Sequence, residues 1–161
     1  MRSFNAKSYL CCMEIERKFL IHQAIWDAVI KPSPKKIVQA YLVNTAEKTI
    51  RVRIKGDKGF ITIKGPTKGI SRSEFEYEIP LKDSEELIAQ FAEKVIDKDR
   101  YEITFKGKLW EVDVFHGKLE GLILAEIELE SEDEVFSTPE WIAKEVSHDV
   151  EYFNARLVEK C

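Results

Sequence analysis

An alternation of charged and apolar residues with a period of two is the feature that most constrains what this chain can fold into. In residues 49–55, for example, Arg51, Arg53 and Lys55 alternate with three branched aliphatic residues. Successive side chains of a β-strand point to opposite faces of the sheet. The pattern therefore predicts a strand with one charged face and one apolar face.

The same alternation recurs along most of the chain. We predict about eight strands, over residues 14–21, 36–43, 49–55, 60–64, 72–79, 98–106, 110–114 and 125–130. Most of them are joined by short turns, such as the Gly-Asp-Lys-Gly turn at residues 56–59. Neighbouring strands should therefore be antiparallel, and eight strands are enough to close a barrel.

Helices are predicted in three places. Between residues 83 and 95 the apolar residues follow a helical period, and Asp83 followed by Glu86 predicts a capping box at the start of that helix. Two further helices are expected near the end of the chain, around residues 139–144 and 152–160.

Length and composition limit the classes of protein that the chain can belong to. Its 161 residues, of which 44% are hydrophobic, suit one domain with its own core and argue against disorder. The 25 basic and 29 acidic residues leave a net charge of −4, which disfavours a nucleic-acid-binding protein. No run of about 18 apolar residues is present, which excludes a membrane-spanning helix.

The first twelve residues differ from those that follow. Arg2 and Lys7 interrupt any apolar stretch that could serve as a secretory signal. Regular alternation begins only at Met13, so either Met13 is the natural start of the protein or the first twelve residues are a loose extension. We therefore expect residues 1–12 to be an N-terminal extension and residues 13–161 to form a single domain.

Cysteine and histidine usage gives no sign of a zinc site. Two of the three cysteines are adjacent and the third is the last residue, and the three histidines are scattered, so neither type shows the spacing of metal ligands: Cys11, Cys12, Cys161, His22, His116 and His148. We expect reduced thiols in a cytoplasmic protein, and histidines without a role in the chemistry.

Periodicity alone does not tell which face of each strand is buried. In one arrangement the apolar faces form the core and the charged faces meet water. In the other, the barrel has a charged interior, and helices or a partner subunit cover its apolar outside. Charges of one sign are grouped by strand, at residues 51–55, 74–78 and 126–130, and would repel one another on a solvated surface. Grouped carboxylates suit Mg²⁺ or Mn²⁺ and grouped Arg and Lys suit phosphate, so a charged interior predicts a site for a metal–polyphosphate complex.

A series of short motifs occurs in order along nearly the whole chain, beginning with Glu14-Ile15-Glu16-Arg17-Lys18. The others are Gln39-Ala40-Tyr41-Leu42, Arg51-Val52-Arg53, Thr62-Ile63-Lys64, Ser71-Arg72-Ser73-Glu74-Phe75-Glu76, Lys98-Asp99-Arg100-Tyr101, Glu111-Val112-Asp113-Val114-Phe115, Glu126-Ile127-Glu128 and Tyr152-Phe153-Asn154. As an ordered set they resemble the CYTH superfamily, the triphosphate tunnel metalloenzymes, whose E-x-E-x-K signature is similar to residues 14–18.

This resemblance implies an α+β, mainly β fold: a closed eight-stranded antiparallel β-barrel that forms a tunnel with a charged lumen and flanking helices. Members of the family hydrolyse inorganic triphosphate or thiamine triphosphate, or cyclise ATP, with a divalent metal, so Mg²⁺ or Mn²⁺ is the expected cofactor. The opening strand and short length are most similar to bacterial members that act on tripolyphosphate. We expect hydrolysis of tripolyphosphate to pyrophosphate and phosphate; the alternatives are an adenylyl cyclase, a thiamine triphosphatase and a non-catalytic polyphosphate-binding module.

The resemblance also implies roles for individual residues. The expected metal ligands are Glu14, Glu16, Glu126 and Glu128. The expected phosphate-binding residues are Lys18, Arg51, Arg53, Lys64, Arg72 and Arg100. Glu16 and Tyr41 are the catalytic candidates, with Tyr41 as a proton acceptor or as a group that positions water. Further charged residues should orient these ligands: Glu74, Glu76, Lys98, Glu111 and Asp113.

The chain also departs from the family pattern. Ala155 stands where some relatives carry a lysine, with Arg156 beside it, which leaves a phosphate contact near the C-terminus open. The His-Phe pair that typically precedes the signature in class IV adenylyl cyclases is absent. The expected partner is a small molecule that contains a triphosphate, with neither nucleic acid nor membrane; an apolar outer face would suit a homodimer.

Overall fold

The computed structural model describes residues 10–66 and 71–161, with side chains from residue 15 onward and, after the gap, from residue 72 onward. The strands are β1 (Leu10–Ile21), β2 (Lys35–Asn44), β3 (Thr49–Lys55), β4 (Lys58–Lys64), β5 (Ser71–Ile79), β6 (Val95–Phe105), β7 (Lys108–Phe115), β8 (Ile123–Glu128) and β9 (Ile142–Glu145). The helices are α1 (Gln23–Ala28), α2 (Leu81–Phe91) and α3 (Asn154–Leu157), with short 3-10 turns at Gly117–Leu119, Val150–Tyr152 and Val158–Lys160.

All nine strands belong to one antiparallel sheet, in the order β5-β4-β3-β2-β6-β7-β8-β1-β9. The first half of β1 additionally pairs with β5, from Leu10 opposite Glu76 to Ile15 opposite Ser71. The second half of β1 pairs with β8, beginning with Glu16 opposite Glu128. The predicted antiparallel strands are thus present, and short connections join the paired strands β2–β3, β3–β4 and β6–β7. Helices instead join β1 to β2 and β5 to β6, which are not neighbours in the order of the sheet.

A large apolar cluster lies on the outward faces of β1, β7 and β8. Trp110 is fully buried there and packs edge-on against Trp141, with ring centroids 5.7 Å apart. Trp26, on α1, packs edge-on against the same Trp141, with ring centroids 5.5 Å apart. The aromatic residues of α1 and of the segment before β9 therefore cover the apolar side of the sheet, as expected if the charged faces point the other way.

Two other elements cover the remaining apolar faces. Helix α2 packs on β3 and β4, and its close approach requires glycine on β4, because a Cβ atom at Gly59 would lie 1.8 Å from the Ser84 hydroxyl oxygen. The C-terminal segment contributes Leu157 and Val158 to a second cluster with Phe115. Burial of these apolar surfaces from water is the main driving force for folding.

The structure corrects the number of strands. Residues 139–144 were expected to be helical, but residues Ile142–Glu145 form β9, a ninth strand on the edge of β1. The backbone N–H of Ile142 donates to the carbonyl of Pro139, which turns the chain, and β1 supplies an edge for pairing. A four-residue strand next to a proline turn is too short to show its own periodicity.

The bounds of the helices in the structure differ from the predicted ones. Helix α2 begins at Leu81 after Pro80, so Asp83 does not cap it; Val95 already belongs to β6. Proline at this position suits a helix start because its missing N–H would have no partner there. The expected helix over 152–160 is divided into two 3-10 turns and α3, and α1 was not predicted because six residues show too little of a helical period.

Parts of the N-terminal region lie outside the described residues. Residues 1–9 of the expected extension are among them, as are the side chains of Cys11 and Cys12. Strand β1 begins at Leu10, before the expected start of the first strand. Cys161 forms no disulfide in the described part of the chain. No helix within residues 10–66 and 71–161 has both the length and the apolar character needed to cross a membrane.

Candidate functional site

The charged rows line one cavity of about 1070 Å³ between the strands. Its basic lining residues are Lys18, Arg51, Arg53, Lys55, Lys58, Lys64, Arg72 and Arg100. Its acidic lining residues are Glu16, Asp57, Glu74, Glu76, Glu78, Glu111, Glu126 and Glu128. Of the two arrangements that periodicity left open, the structure has the one with charged side chains around the cavity and apolar side chains outside.

Lys18 is one of the most deeply buried basic groups of the cavity, with only 5% of its surface exposed. Its ammonium nitrogen lies 2.5 Å from Glu126 Oε1 and 3.3 Å from Glu16 Oε1. Although burial alone would lower it, the two nearby carboxylates raise the pKa of Lys18. Lys18 is therefore a permanent positive charge at neutral pH.

Arg100 bridges three carboxylates on neighbouring strands. Its Nε donates to Asp113 Oδ1 at 2.6 Å and its Nη2 to Glu126 Oε2 at 2.9 Å, and its Nη1 pairs with Glu111. Although burial alone would lower it, these carboxylates raise the pKa of Arg100. Burial alone would raise the pKa of Glu126, but the charges of Lys18 and Arg100 lower it. A buried group of this kind is stable only because each charge has a partner.

Arg51 and Arg53 lie side by side on β3 and share one carboxylate. Arg53 Nη2 is 2.8 Å and Arg51 Nη2 is 3.4 Å from Glu76 Oε2, and the Thr62 hydroxyl donates to the same oxygen at 2.8 Å. Burial and the neighbouring Arg51 charge lower the pKa of Arg53. Two cations with one shared anion leave this wall of the cavity with an excess of positive charge.

Several buried polar atoms beside these arginines have no hydrogen-bond partner within the described residues. They are the Nε atoms of Arg51 and Arg53 and both amide atoms of Gln39, whose cross-strand partner is Arg53. A buried donor without a partner costs free energy, of order 1–3 kcal/mol. Of these residues, Arg51 and Arg53 line the cavity and Gln39 does not.

Lys64 and Arg72 complete the basic side of the cavity. Lys64 lies directly opposite Glu74 on β5, and their side chains form an ion pair of 2.8 Å. Arg72 lies on the same strand as Glu74, two residues before it, and also lines the cavity. All six predicted phosphate-binding residues are thus brought to one cavity.

The acidic side is built from β1, β7 and β8. Glu16 lies directly opposite Glu128, and Glu111 directly opposite Glu126. Adjacent carboxylates offer hard oxygen donors, which is the ligand chemistry that Mg²⁺ and Mn²⁺ prefer. The residues present therefore fit a divalent cation by their chemistry, although no three acidic, His or Cys side chains among those described already form a ready-made metal cluster. Glu14 belongs to β1, but its side chain lies outside the described part.

Tyr41 lies at the same cavity, opposite Arg51 on the neighbouring strand. Burial raises the pKa of its phenol despite the nearby positive charges of Arg51, Arg72 and Lys18. The hydroxyl is therefore protonated at neutral pH, which suits a hydrogen-bonding group better than a proton acceptor.

Lys98 and Asp113 lie behind the cavity wall and do not line it. The Lys98 ammonium donates to Asp113 Oδ2 at 2.5 Å and reaches Asn154 Oδ1 at 3.4 Å. Burial lowers the pKa of Lys98 to about 8. Since Asp113 also accepts from Arg100, this pair supports a cavity residue from behind and connects it to α3.

Some residues of the cavity were not predicted from the sequence. Lys55 was recognised as part of a charged row but was given no role, and Ser147 was not singled out at all. Phe153, Asn154 and Ala155, which also line the cavity, were singled out only through the family resemblance. The Asn44 side-chain amide donates to the Ala155 carbonyl at 2.8 Å, which holds α3 at the cavity. This segment has no regular period, so only its match to the family's last motif could have indicated its position.

The opposite end of the cavity carries a smaller network of charges. Glu102 accepts from Lys35 at 2.7 Å and from Lys55 at 2.9 Å, and these two bonds lower its pKa to about 2. The histidines take no part in the cavity lining; His116 instead lies 3.0 Å from Asp99, partly exposed.

Two known proteins that are similar to this chain carry the same description. An inorganic triphosphatase of Acetivibrio thermocellus is 44% identical over 147 residues, which cover 91% of this chain and 93% of that protein. An inorganic triphosphatase of Nitrosomonas europaea is 36% identical over 148 residues, covering 89% of this chain and 95% of the relative.

A solved structure with the same description has a similar fold. The crystal structure of the inorganic triphosphatase NE1496 superposes with a TM-score of 0.63 and 33% sequence identity, over 90% of this chain and 93% of that one. The family model described as the CYTH domain matches residues 13–161. The chain therefore belongs to the CYTH domain family.

Proposed function

We propose that this protein hydrolyses inorganic triphosphate to pyrophosphate and phosphate in the charged cavity. The observation that carries the proposal is the row of buried cations, with Arg51 and Arg53 sharing one carboxylate and each keeping an Nε atom without a partner among the described residues. Arginine and lysine in such a row bind phosphate oxygens well. The names of the two relatives, both inorganic triphosphatases, support the same substrate.

We also propose that β1 to β8 form a closed tunnel around the cavity. The pairing of β5 with β1 supports closure, since it joins one end of the sheet order to a strand near the other end. A closed ring would keep a short, highly charged anion in contact with side chains from every direction. It would also leave two openings, one beside α3 and one beside the β3–β4 turn.

The proposed roles in binding follow from position. The groups that neutralise the phosphates are Lys18, Arg51, Arg53, Lys64, Arg72 and Arg100. Glu74, Glu76, Glu111 and Asp113 hold these cations in place through the ion pairs described above, and Lys98 supports Asp113 from behind. Because the positive charges are already assembled before substrate arrives, little reorganisation is needed when charge develops on the transferred phosphoryl group.

The proposed metal ligands are Glu14, Glu16, Glu126 and Glu128. Their carboxylate oxygens fit Mg²⁺ or Mn²⁺, and the repulsion between opposed Glu16 and Glu128 favours a cation between them. A divalent ion bound there would neutralise phosphate charge and activate water.

In the proposed reaction a water oxygen attacks a terminal phosphorus, and the bond from that phosphorus to the bridging oxygen breaks. Pyrophosphate leaves with the bridging oxygen, and the basic row stabilises its charge. Glu16 accepts the proton of the attacking water. Tyr41, protonated because of burial, donates a hydrogen bond and positions the water or a phosphate oxygen.

A panel of three substrates tests this proposal. Phosphate release would be measured with tripolyphosphate, thiamine triphosphate and ATP, each with Mg²⁺ or Mn²⁺ and with EDTA as the control. We expect release from tripolyphosphate to be fastest and to stop in EDTA. Cyclic AMP formed from ATP would indicate a cyclase, and tripolyphosphate binding without turnover would indicate a binding module; either result would overturn the proposal.

A homodimer is a second, separate proposal. Ile63 and Phe75 are paired across β4 and β5 on the outer side, and both remain more than a third exposed. Adjacent exposed apolar side chains of this size suit contact with another protein surface. Light scattering at micromolar concentration should give the mass of a dimer, and a monomer mass would contradict this.

A further inference from the structure

We infer that Ser147 is a positioning residue for Lys18, and that its hydroxyl fixes the backbone of β1 at the point where β1 changes its neighbour. The inference rests on the proposed function, because it concerns how Lys18 is presented to the substrate.

Strand β1 exchanges partners on one side around Lys18. Its described pairing with β5 ends at Ile15, and its pairing with β9 begins at Phe19. In between, the Lys18 carbonyl accepts from the Val146 N–H at 2.8 Å, and the Lys18 N–H donates to the Ser147 hydroxyl oxygen at 3.0 Å. A side chain therefore takes the place of a strand partner at this residue.

The Ser147 hydroxyl is itself fixed. It donates to Glu145 Oε1 at 2.6 Å, and the same oxygen accepts from Arg17 Nε at 2.7 Å. The Arg17 guanidinium lies 5.0 Å from the centre of the Phe136 ring on the outer side of the sheet. The chain of contacts therefore runs from the outer aromatic cluster to the backbone of a residue whose side chain enters the cavity.

The position of the Lys18 ammonium group depends on this backbone hydrogen bond. Lys18 is 5% exposed and Ser147 is 6% exposed, so water is not a ready replacement partner for the Lys18 N–H or for the Ser147 hydroxyl. Loss of the hydroxyl would leave the Lys18 N–H buried without an acceptor, which β1 can relieve only by shifting. Such a shift would move the ammonium group away from Glu126 and Glu16, with which it now pairs.

Calorimetric binding of tripolyphosphate in EDTA tests the inference without relying on turnover. We expect Ser147→Ala to weaken binding about tenfold, the equivalent of about 1.4 kcal/mol. Ser147→Thr keeps the hydroxyl and should bind within about twofold of the wild type. Ser137→Ala, at an exposed serine, is the matched control and should change nothing.

A double-mutant cycle separates positioning from direct contact. If Ser147 acts through Lys18, Ser147→Ala should cause no further loss in a Lys18→Met background. An equal loss in both backgrounds, or no loss in either, would overturn the inference. If Ser147→Ala does not fold, Glu145→Gln replaces it, since it weakens the acceptor that orients the hydroxyl; an unchanged affinity there would also overturn it.

The wild-type measurement distinguishes the two proposals. A wild-type protein that binds and hydrolyses tripolyphosphate, with Ser147 variants indistinguishable from it, would remove only the role of Ser147. A wild-type protein that neither binds nor hydrolyses tripolyphosphate would remove the proposed function, and the inference with it.

Discussion

Glu16 and Glu128 lie directly opposite each other on β1 and β8, in a cavity that also contains Lys18. Like charges directly opposite each other repel, and the Lys18 ammonium, 3.3 Å from Glu16 Oε1, offsets this repulsion on the β1 side. A divalent cation could use the oxygens of both carboxylates. The pair is therefore the place where the proposed metal binding is tested most directly.

The first prediction concerns Glu16. Glu16→Gln should lower kcat by at least about 100-fold, because it removes both a proposed metal ligand and the proposed proton acceptor. The melting temperature in EDTA should change little, because relief of the repulsion with Glu128 offsets the loss of the ion pair with Lys18. Phosphate release and thermal denaturation check the two effects, with Glu85→Gln on the exposed side of α2 as the control. An undiminished rate would contradict the role of Glu16.

Arg100 should matter for stability as well as for binding. Arg100→Met removes the shared partner of Glu111, Asp113 and Glu126, which leaves buried carboxylates without sufficient positive charge. We expect a loss of about 3–5 kcal/mol in the free energy of unfolding. Urea denaturation measures it, and Lys82→Met, at an exposed i,i+4 ion pair, should change stability by less than about 0.5 kcal/mol. Similar values for both variants would show that the Arg100 network is not structural.

Acid should weaken the fold through Glu102. The pKa of Glu102 is lowered to about 2, so below about pH 4.5 the unfolded chain takes up a proton that the folded chain does not. Its contribution is complete above that range and is lost as the pH falls toward 2. We expect about 1 kcal/mol after solvent screening of this partly exposed group.

The matched variant for this effect is Glu102→Gln, which cannot titrate. Denaturation curves between pH 2 and pH 6 should show a shallower loss of stability for the variant than for the wild type. Parallel curves would mean that the ion pairs with Lys35 and Lys55 contribute nothing measurable.

The outer aromatic cluster should carry much of the folding free energy. Trp141→Ala opens a cavity between Trp26 and Trp110, and we expect it to cost about 3–5 kcal/mol. Val135→Ala, at a side chain that is 94% exposed, is the control and should have little effect. A small loss at Trp141 would argue that the core does not lie outside the sheet.

Sequence patterns predicted the strands well because the alternation is strong where a strand has one charged and one apolar face. Arg51 and Arg53 could be assigned to one face from spacing alone. Which face is inside depends on what covers the other face, and Trp26 and Trp141 reach β1, β7 and β8 from distant parts of the chain. No local pattern contains that information, so the family resemblance was needed.

The C-terminal part of the site was the least predictable. Residues 139–144 were expected to be helical, whereas Ile142–Glu145 form β9. Ser147 received no role, because its contacts with Lys18 join positions 129 residues apart. Such long-range hydrogen bonds leave no period in the sequence. Likewise, Tyr41 could be placed on a strand face, whereas the rise of its pKa depends on how deeply the fold buries it.

The most direct measurement of the central claim is a phosphorus NMR time course with tripolyphosphate, Mg²⁺ and the wild-type protein. We predict the appearance of one pyrophosphate and one phosphate for each tripolyphosphate consumed, with no reaction in EDTA. A spectrum that stays unchanged under the same conditions, with correctly folded protein, would contradict the account.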